Sequence, residues 1–346
     1  FQLAKALEKN GVNYKYVTTV YLKKGNLTDL ITKKFLKGEN RERGEGRRCE
    51  GLPDEKVIQF NEFLALFLLL LQRYKKLDWL YKITSDIIIH SFSKKLSKYI
   101  IKNNIKNVIL FDQYAYLVIR NLNKNNYKAN ITLDMSAPNV QFMLEQYTDK
   151  IDKYIPKNDI YKKGRISKFE IKNSNFFLVA SEFTKKSLGV IPKGRVFNCR
   201  YGISEIYIKD IRDSLFLDKA DVLFIGRLTR EKGFDLFLKL ADTTDFSINF
   251  KALGSISSCD FIDLANIKNV ALLGHVPKEQ VYDFLDKTKI LIMPSVADGF
   301  GFVVLEALAR GVIVICSDNT GASDLINHGY NGFIFKTGEL DSLLQI

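Results

Sequence analysis

From residue 222 onward the chain repeats one unit: a short apolar run, a turn-forming residue, then a stretch with helical spacing. The runs fall at 222–225, 250–253, 270–273, 290–293 and 312–316, and the first four end at Gly226, Gly254, Gly274 and Pro294. Helical patterns fill gaps at 234–240, 279–285 and 302–309. Strands that alternate with helices run parallel, and a parallel sheet is covered on both faces. Upstream the same pattern is looser, with runs at 108–111, 131–133 and 176–180 and a helix over 181–188 opened by Ser181 as N-cap. The prediction is an α/β chain of two units, residues 1–200 and 201–346, joined near 200–207. In open parallel sheets ligands bind at the carboxyl ends of strands, so the site is expected in the cleft between the units. A length of 346 residues suits two domains.

The first 100 residues are less regular. A helix is expected from Phe1 to Leu7, a strand over 14–20, and an amphipathic helix over 87–101 in which His90 is structural. Residues 38–50 are dense in charge and glycine, and are expected to form an exposed or disordered loop. The alternative there is an acidic-ligand clamp through Arg41, Arg43, Arg47 and Arg48. Residues 63–71 are apolar throughout but too few to span a bilayer, which takes about 20. They suit either a buried or partner-facing helix or an interfacial one, since Lys75, Lys76 and Trp79 follow. The chain starts inside one helical pattern and stops inside another, so both ends read as incomplete.

Charge separates the halves. Residues 1–200 hold 38 Lys and Arg against 19 Asp and Glu, a net +19, whereas residues 201–346 hold 14 against 20, a net −6. The first half is therefore expected to meet something anionic. Zinc-finger spacing, RNP-like aromatics and heptad-backed basic helices are absent, so an acidic acceptor or an anionic membrane surface is preferred to nucleic acid. Cys49, Cys199, Cys259 and Cys316 are scattered singly, which argues for apolar packing rather than disulfides or zinc.

Two strings carry chemistry. Gly226-Arg227-Leu228-Thr229-Arg230-Glu231-Lys232-Gly233 follows a strand and opens a helix. There Arg227 suits bidentate contact with phosphate oxygens, and Lys232 supplies a compact charge. The spacing is neither that of a Walker loop nor the dinucleotide fingerprint. In the second string Asp298 precedes Gly299, Phe300, Gly301 and Phe302, and Glu306 lies one turn into the following helix among apolar neighbours. A carboxylate so placed needs hydrogen-bond donors, which ribose hydroxyls or a basic neighbour would supply.

These strings, with Gly274-His275-Val276, Pro294-Ser295, Gly321-Ala322-Ser323-Asp324 and Asn331-Gly332-Phe333, resemble the retaining nucleotide-sugar glycosyltransferases of family four (glycosyl transferases group one). The resemblance is specific over about 222–344 and holds only in outline over the first 170 residues. It implies the GT-B architecture, two facing Rossmann-like domains with an acceptor-binding first half and a donor-binding second half. It implies that Arg227 and Lys232 hold the donor diphosphate, that Glu306 binds ribose, and that Asp298 stands at the transferred sugar where relatives carry glutamate. Gly226, Gly299, Phe300, Gly301 and Phe302 would line sugar and phosphate, His275 and Val276 would border the base, and Asn139 would stand near the place of a sugar-facing histidine. No metal or other cofactor is implied; the nucleotide sugar is a co-substrate. The implied activity is metal-independent hexosyl transfer to a glycan or lipid-linked acceptor, in the cytoplasm or at the inner membrane face. On the same architecture the alternatives are a nucleotide-sugar epimerase, a soluble glucan- or sucrose-type synthase, or a non-catalytic sugar-nucleotide-binding subunit.

Overall fold

A computed structural model describes residues 2–38, 41, 44–72, 74–151, 157–191, 194–203, 208, 221–244, 248–255 and 264–346. The chain divides into two compact units, residues 1–108 with 114–129, and residues 109–113 with 130–346. Residues 204–207 of the expected junction at 200–207 lie outside the described residues, as do Cys259 and Arg43.

The first unit contains α1 (Gln2–Lys9), β1 (Tyr16–Thr18), α2 (Leu27–Phe35), β2 (Val57–Gln59), α3 (Glu62–Leu71), α4 (Asp78–Lys102) and α5 (Ala115–Lys124). β1 and β2 pair in parallel, Val17 opposite Ile58. Asn26 caps α2 by accepting from the Asp29 amide. Helix α4 starts at Asp78, well before the expected 87, and Thr84 of its early turns is buried, so tertiary packing overrides local propensity there. Within 38–50, Gly38, Arg41, Glu45, Gly46, Arg48 and Glu50 are exposed as expected, but Gly44 and Cys49 are buried. Cys49 is buried beside Tyr21, Leu52 and Val57, and its amide donates to the Tyr21 hydroxyl. Tertiary burial there outweighs local polarity. Two arginines of the alternative clamp are engaged within the chain, Arg41 with Glu45 at 2.9 Å and Arg48 with Asp54 at 3.7 Å. Helix α3 buries Ala65 and Leu71 but leaves Phe63, Phe67 and Leu70 exposed.

The second unit holds two sheets. In the first, β3 (Asn107–Phe111), β4 (Asn130–Met135), β5 (Phe176–Val179) and β6 (Val196–Asn198) stand in chain order, with β4, β5 and β6 parallel. Helices α6 (Val140–Ile151), α7 (Lys157–Lys172) and α8 (Glu182–Ser187) belong to this half. Ser181 caps α8 as its sequence predicts. The second sheet is parallel throughout and ordered β12-β11-β10-β7-β8-β9. Its strands are β7 (Asp221–Ile225), β8 (Asn249–Leu253), β9 (Val270–Gly274), β10 (Ile290–Met293), β11 (Ile313–Ser317) and β12 (Gly332–Phe335). The connecting helices are α9 (Phe234–Thr243), α10 (Lys278–Leu285) and α11 (Phe302–Leu308), and α12 (Leu340–Leu344) follows β12.

Side-chain alternation along β7 divides the core in two. Val222 and Phe224 point to the α9 face, where Phe234, Phe237 and Phe250 join them. Leu223 points to the other face, among Leu285, Leu291, Val304 and Ala307 of β10 and helices α10 and α11. Phe224, Phe234 and Phe237 are at most 1% exposed, and each such burial is worth roughly 1.5–3 kcal/mol. This doubly covered sheet is the platform on which the site stands. Among the described residues no helix is long and apolar enough to cross a membrane.

Candidate active site

The second sheet reverses its order between β7 and β10. From β7 the chain steps outward through β8 and β9, returns to β10, and steps outward the other way through β11 and β12. Loops leaving the two central strands part at such a reversal and open a crevice at the carboxyl ends. Those loops are residues 226–233 and 294–301, the two strings that the sequence singles out.

Backbone contacts join the loops. The Val296 amide donates to the Glu231 carbonyl at 2.9 Å. Gly233 sits at φ 73°, a left-handed conformation, and caps α9. A Cβ on it would stand 1.8 Å from the Pro294 carbonyl oxygen, so only glycine fits. Across the crevice Lys232 Nζ lies 2.5 Å from Asp298 Oδ2, with side-chain exposures of 19% and 15%. The other Asp298 oxygen accepts from the Phe300 amide at 3.2 Å. Asp298 backbone groups bond to Asn319 and Gly321, so the acid sits on a fixed base. Charges this far from water are tolerable because each neutralises the other.

The remaining candidates spread outward. Arg227 is exposed and pairs with Glu231 at 3.0 Å. Glu306, 13% exposed, accepts on Oε1 from the Tyr282 hydroxyl at 3.4 Å and lies 3.3 Å from Lys278 Nζ. Thus a basic neighbour does meet this carboxylate. His275 is exposed, and Val276 packs half-buried against the α10–α11 core. Phe300 is buried edge-on to Tyr201 at 5.1 Å between ring centroids, and half-exposed Phe302 stacks on the same ring at 4.7 Å. Asn139 caps α6: its Oδ1 accepts from the Gln141 amide at 2.9 Å and from Ser167 Oγ at 2.8 Å. The structure therefore joins Lys232, Asp298 and Phe300 directly, while the bonds of Asn139 and Glu306 go to neighbouring helices.

The first sheet also reaches the acidic loop. The Gly299 carbonyl accepts from Ser181 Oγ at 2.8 Å and Thr184 Oγ1 at 3.2 Å. A Cβ on Gly299 would stand 2.2 Å from the Ser136 carbonyl oxygen. Two carboxylates missed in the sequence stand nearby on the strand ends. Asp112, buried, accepts from the Ser136 hydroxyl at 2.8 Å, and burial pushes its carboxyl above the usual range. Asp134 is raised by burial and then by the Asp112 charge. Only the pairing of β4 with its neighbours brings these acids together; their spacing in the chain carries no such signal. Among the described residues no three His, Cys, Asp or Glu side chains gather in a way that could hold a metal ion.

Residues 208–345 match the glycosyl transferases group 1 family. An uncharacterized glycosyltransferase of Methanocaldococcus jannaschii is 29% identical over 199 residues, 56% of this chain and 54% of the relative. The capsular polysaccharide biosynthesis glycosyltransferase CapM of Staphylococcus aureus is 26% identical over 152 residues, 41% of this chain and 38% of the relative. The chain thus matches about half or less of these curated relatives. Sucrose-phosphate synthase from Thermosynechococcus elongatus superposes with a TM-score of 0.61 at 15% identity, covering 99% of this chain and 81% of that one. Anabaena HepE, solved in complex with UDP and glucose, gives 0.59 at 13% identity, covering 96% and 88%. Likeness at such low identity speaks for the fold, which is GT-B. Residues 208–345, carried on that fold, are thus the part of the chain that is similar to the glycosyl transferases group 1 family.

Proposed function

We propose that this protein is a retaining glycosyltransferase that moves a sugar from a nucleoside-diphosphate sugar to a glycan or lipid-linked acceptor in cell-surface glycan synthesis. The observation that carries this reading is the Lys232–Asp298 contact at the reversal point of the donor sheet, where one cationic and one acidic loop face each other. In this reading residues 201–346 bind the donor and residues 1–200 the acceptor. Lys232, with Arg227 swinging from Glu231, would take the diphosphate and stabilise charge on the departing nucleotide. Positive side chains do this without a metal, and no cofactor is invoked. Glu306 would receive the ribose hydroxyls. Asp298 and the backbone of residues 299–302 would border the sugar, and the acceptor hydroxyl would attack from the face the leaving group vacates. Relatives named for capsular polysaccharide synthesis and a solved neighbour in complex with UDP and glucose support this class of substrate.

The acceptor half would rest on the inner, anionic face of a membrane. Phe63 and Trp79 are 71% and 61% exposed, and the net charge of +19 over residues 1–200 favours such a surface. Sedimentation with anionic vesicles at low salt tests this part, and a protein that stays in the supernatant removes it.

Donor recognition is tested by thermal unfolding against a panel of nucleoside-diphosphate sugars, because only a bound ligand raises the midpoint. One donor is expected to stabilise the wild type and to lose that effect in Lys232→Ala and Glu306→Ala, each read against its own unliganded midpoint. A panel without any shift would sink the reading. Product anomers read by NMR then test retention.

A further inference from the structure

Helix α10 and the residue after it present Lys278, Tyr282 and Asp286 at intervals of one turn, while Glu306 in α11 and Arg310 beyond it stand at the same interval. The two series interlock. Lys278 and the Tyr282 hydroxyl both meet Glu306 Oε1, at 3.3 and 3.4 Å. The Arg310 guanidinium covers the Tyr282 ring, 5.0 Å from its centroid, and Arg310 Nε lies 3.1 Å from Asp286 Oδ1.

The two partners of Glu306 differ in how firmly they hold it. Lys278 is 67% exposed on a flexible stem, so water and ions compete for its contact. Tyr282 is 6% exposed, packed in the core under a cation that Asp286 anchors, and its hydroxyl has little freedom to leave. Both contacts fall on Oε1, which orients the carboxylate and leaves Oε2 outside the pair. A carboxylate reads a vicinal diol only when its plane faces both hydroxyls, and a site built to bond a hydroxyl rejects ligands that lack it.

We propose that Tyr282, steadied by Arg310 and Asp286, is a positioning residue that orients Glu306 toward the donor ribose and so makes the site selective for ribonucleotide over deoxyribonucleotide donors. This rests on the reading of Glu306 as the ribose-binding carboxylate. Lys278 completes the charge balance of Glu306 without fixing its direction.

The test is calorimetric titration of UDP, GDP and ADP, and of their 2′-deoxy and 3′-deoxy counterparts, into wild type, Tyr282→Phe, Glu306→Ala and the double variant. Phenylalanine keeps the ring under Arg310 and removes only the hydroxyl. The expected result is a wild-type preference for the ribose form that Tyr282→Phe lowers roughly fivefold, with deoxy affinities nearly unchanged. In the Glu306→Ala background the same substitution is expected to add nothing. Arg310→Gln releases the ring without touching Glu306 and is expected to lower the ribose preference by a smaller factor. Equal losses for ribose and deoxyribose forms would mark Tyr282 as merely structural and overturn the inference. So would a further loss in the double variant, or an unchanged preference in both Tyr282→Phe and Arg310→Gln. A wild type that binds these nucleotides without ribose preference overturns it while leaving donor binding intact. Failure to bind any of them overturns the functional reading as well, so the two failures are distinct.

Discussion

Lys232 and Asp298 close the crevice between the two central strands of the second sheet with an ion pair, Nζ to Oδ2 at 2.5 Å. The acid therefore sits as the counter-charge of the group expected to take the diphosphate. Asparagine at 298 keeps the carbonyl that caps the Phe300 amide but removes that charge. Asp298→Asn is expected to bind nucleoside diphosphate more tightly, by roughly fivefold, since an anion would no longer displace a carboxylate from Lys232. Titration of the ligand-free proteins measures this, and weaker binding by the variant contradicts it.

Gly233 tests how closely the two loops must approach. Alanine there combines a left-handed backbone with a Cβ 1.8 Å from the Pro294 carbonyl oxygen, so β10 and the start of α9 would have to separate. A loss of about 3 kcal/mol or more is expected for Gly233→Ala, with donor binding lost alongside. Chemical denaturation of variant and wild type gives the number.

Asp112 links the first sheet to pH. Its carboxyl is raised by burial, so between the ordinary range and the raised value the native state holds more protons than the unfolded chain. Stability from this group accordingly falls as pH rises through that window and stays lowered above it. Asp112→Asn keeps an oxygen for Ser136 and carries no charge. It is expected to unfold at a higher temperature than wild type at pH 7, with the gain shrinking as pH falls below the window. Midpoints measured at pH 7 and pH 4 check the sign.

The cysteines should separate by reactivity. Burial pushes the Cys316 thiol up to about 12, leaving it protonated and enclosed, whereas Cys199 is exposed at the end of the first sheet. Alkylation of the native protein at pH 8 is expected to label Cys199 and spare Cys316, with both modified after denaturation. Peptide mass spectrometry reads the difference.

Much of the second half was legible because its strands are apolar runs closed by glycine or proline; the run at 290–293 coincides with β10. β12 was not read as a strand, since Gly332 opens it and the apolar run that follows is only Phe333 to Phe335; pairing with β11 makes it one. The loops that bear Lys232 and Asp298 could be picked out by residue type, but not their contact, which depends on the order of β7 and β10. Cys49 shows the opposite failure, a polar neighbourhood that hid a core residue because Tyr21 and Leu52 come from elsewhere in the chain. The ladder between α10 and α11 was invisible for the same reason: each helix shows only half of it.

Gly299 offers its carbonyl to Ser181 and Thr184, which lie more than a hundred positions earlier. The acidic loop thus takes its shape partly from the half of the chain that would choose the acceptor. Any chimera that replaces the first half must bring a compatible pair of hydroxyls with it, or the resident second half is left with its loop unmoored.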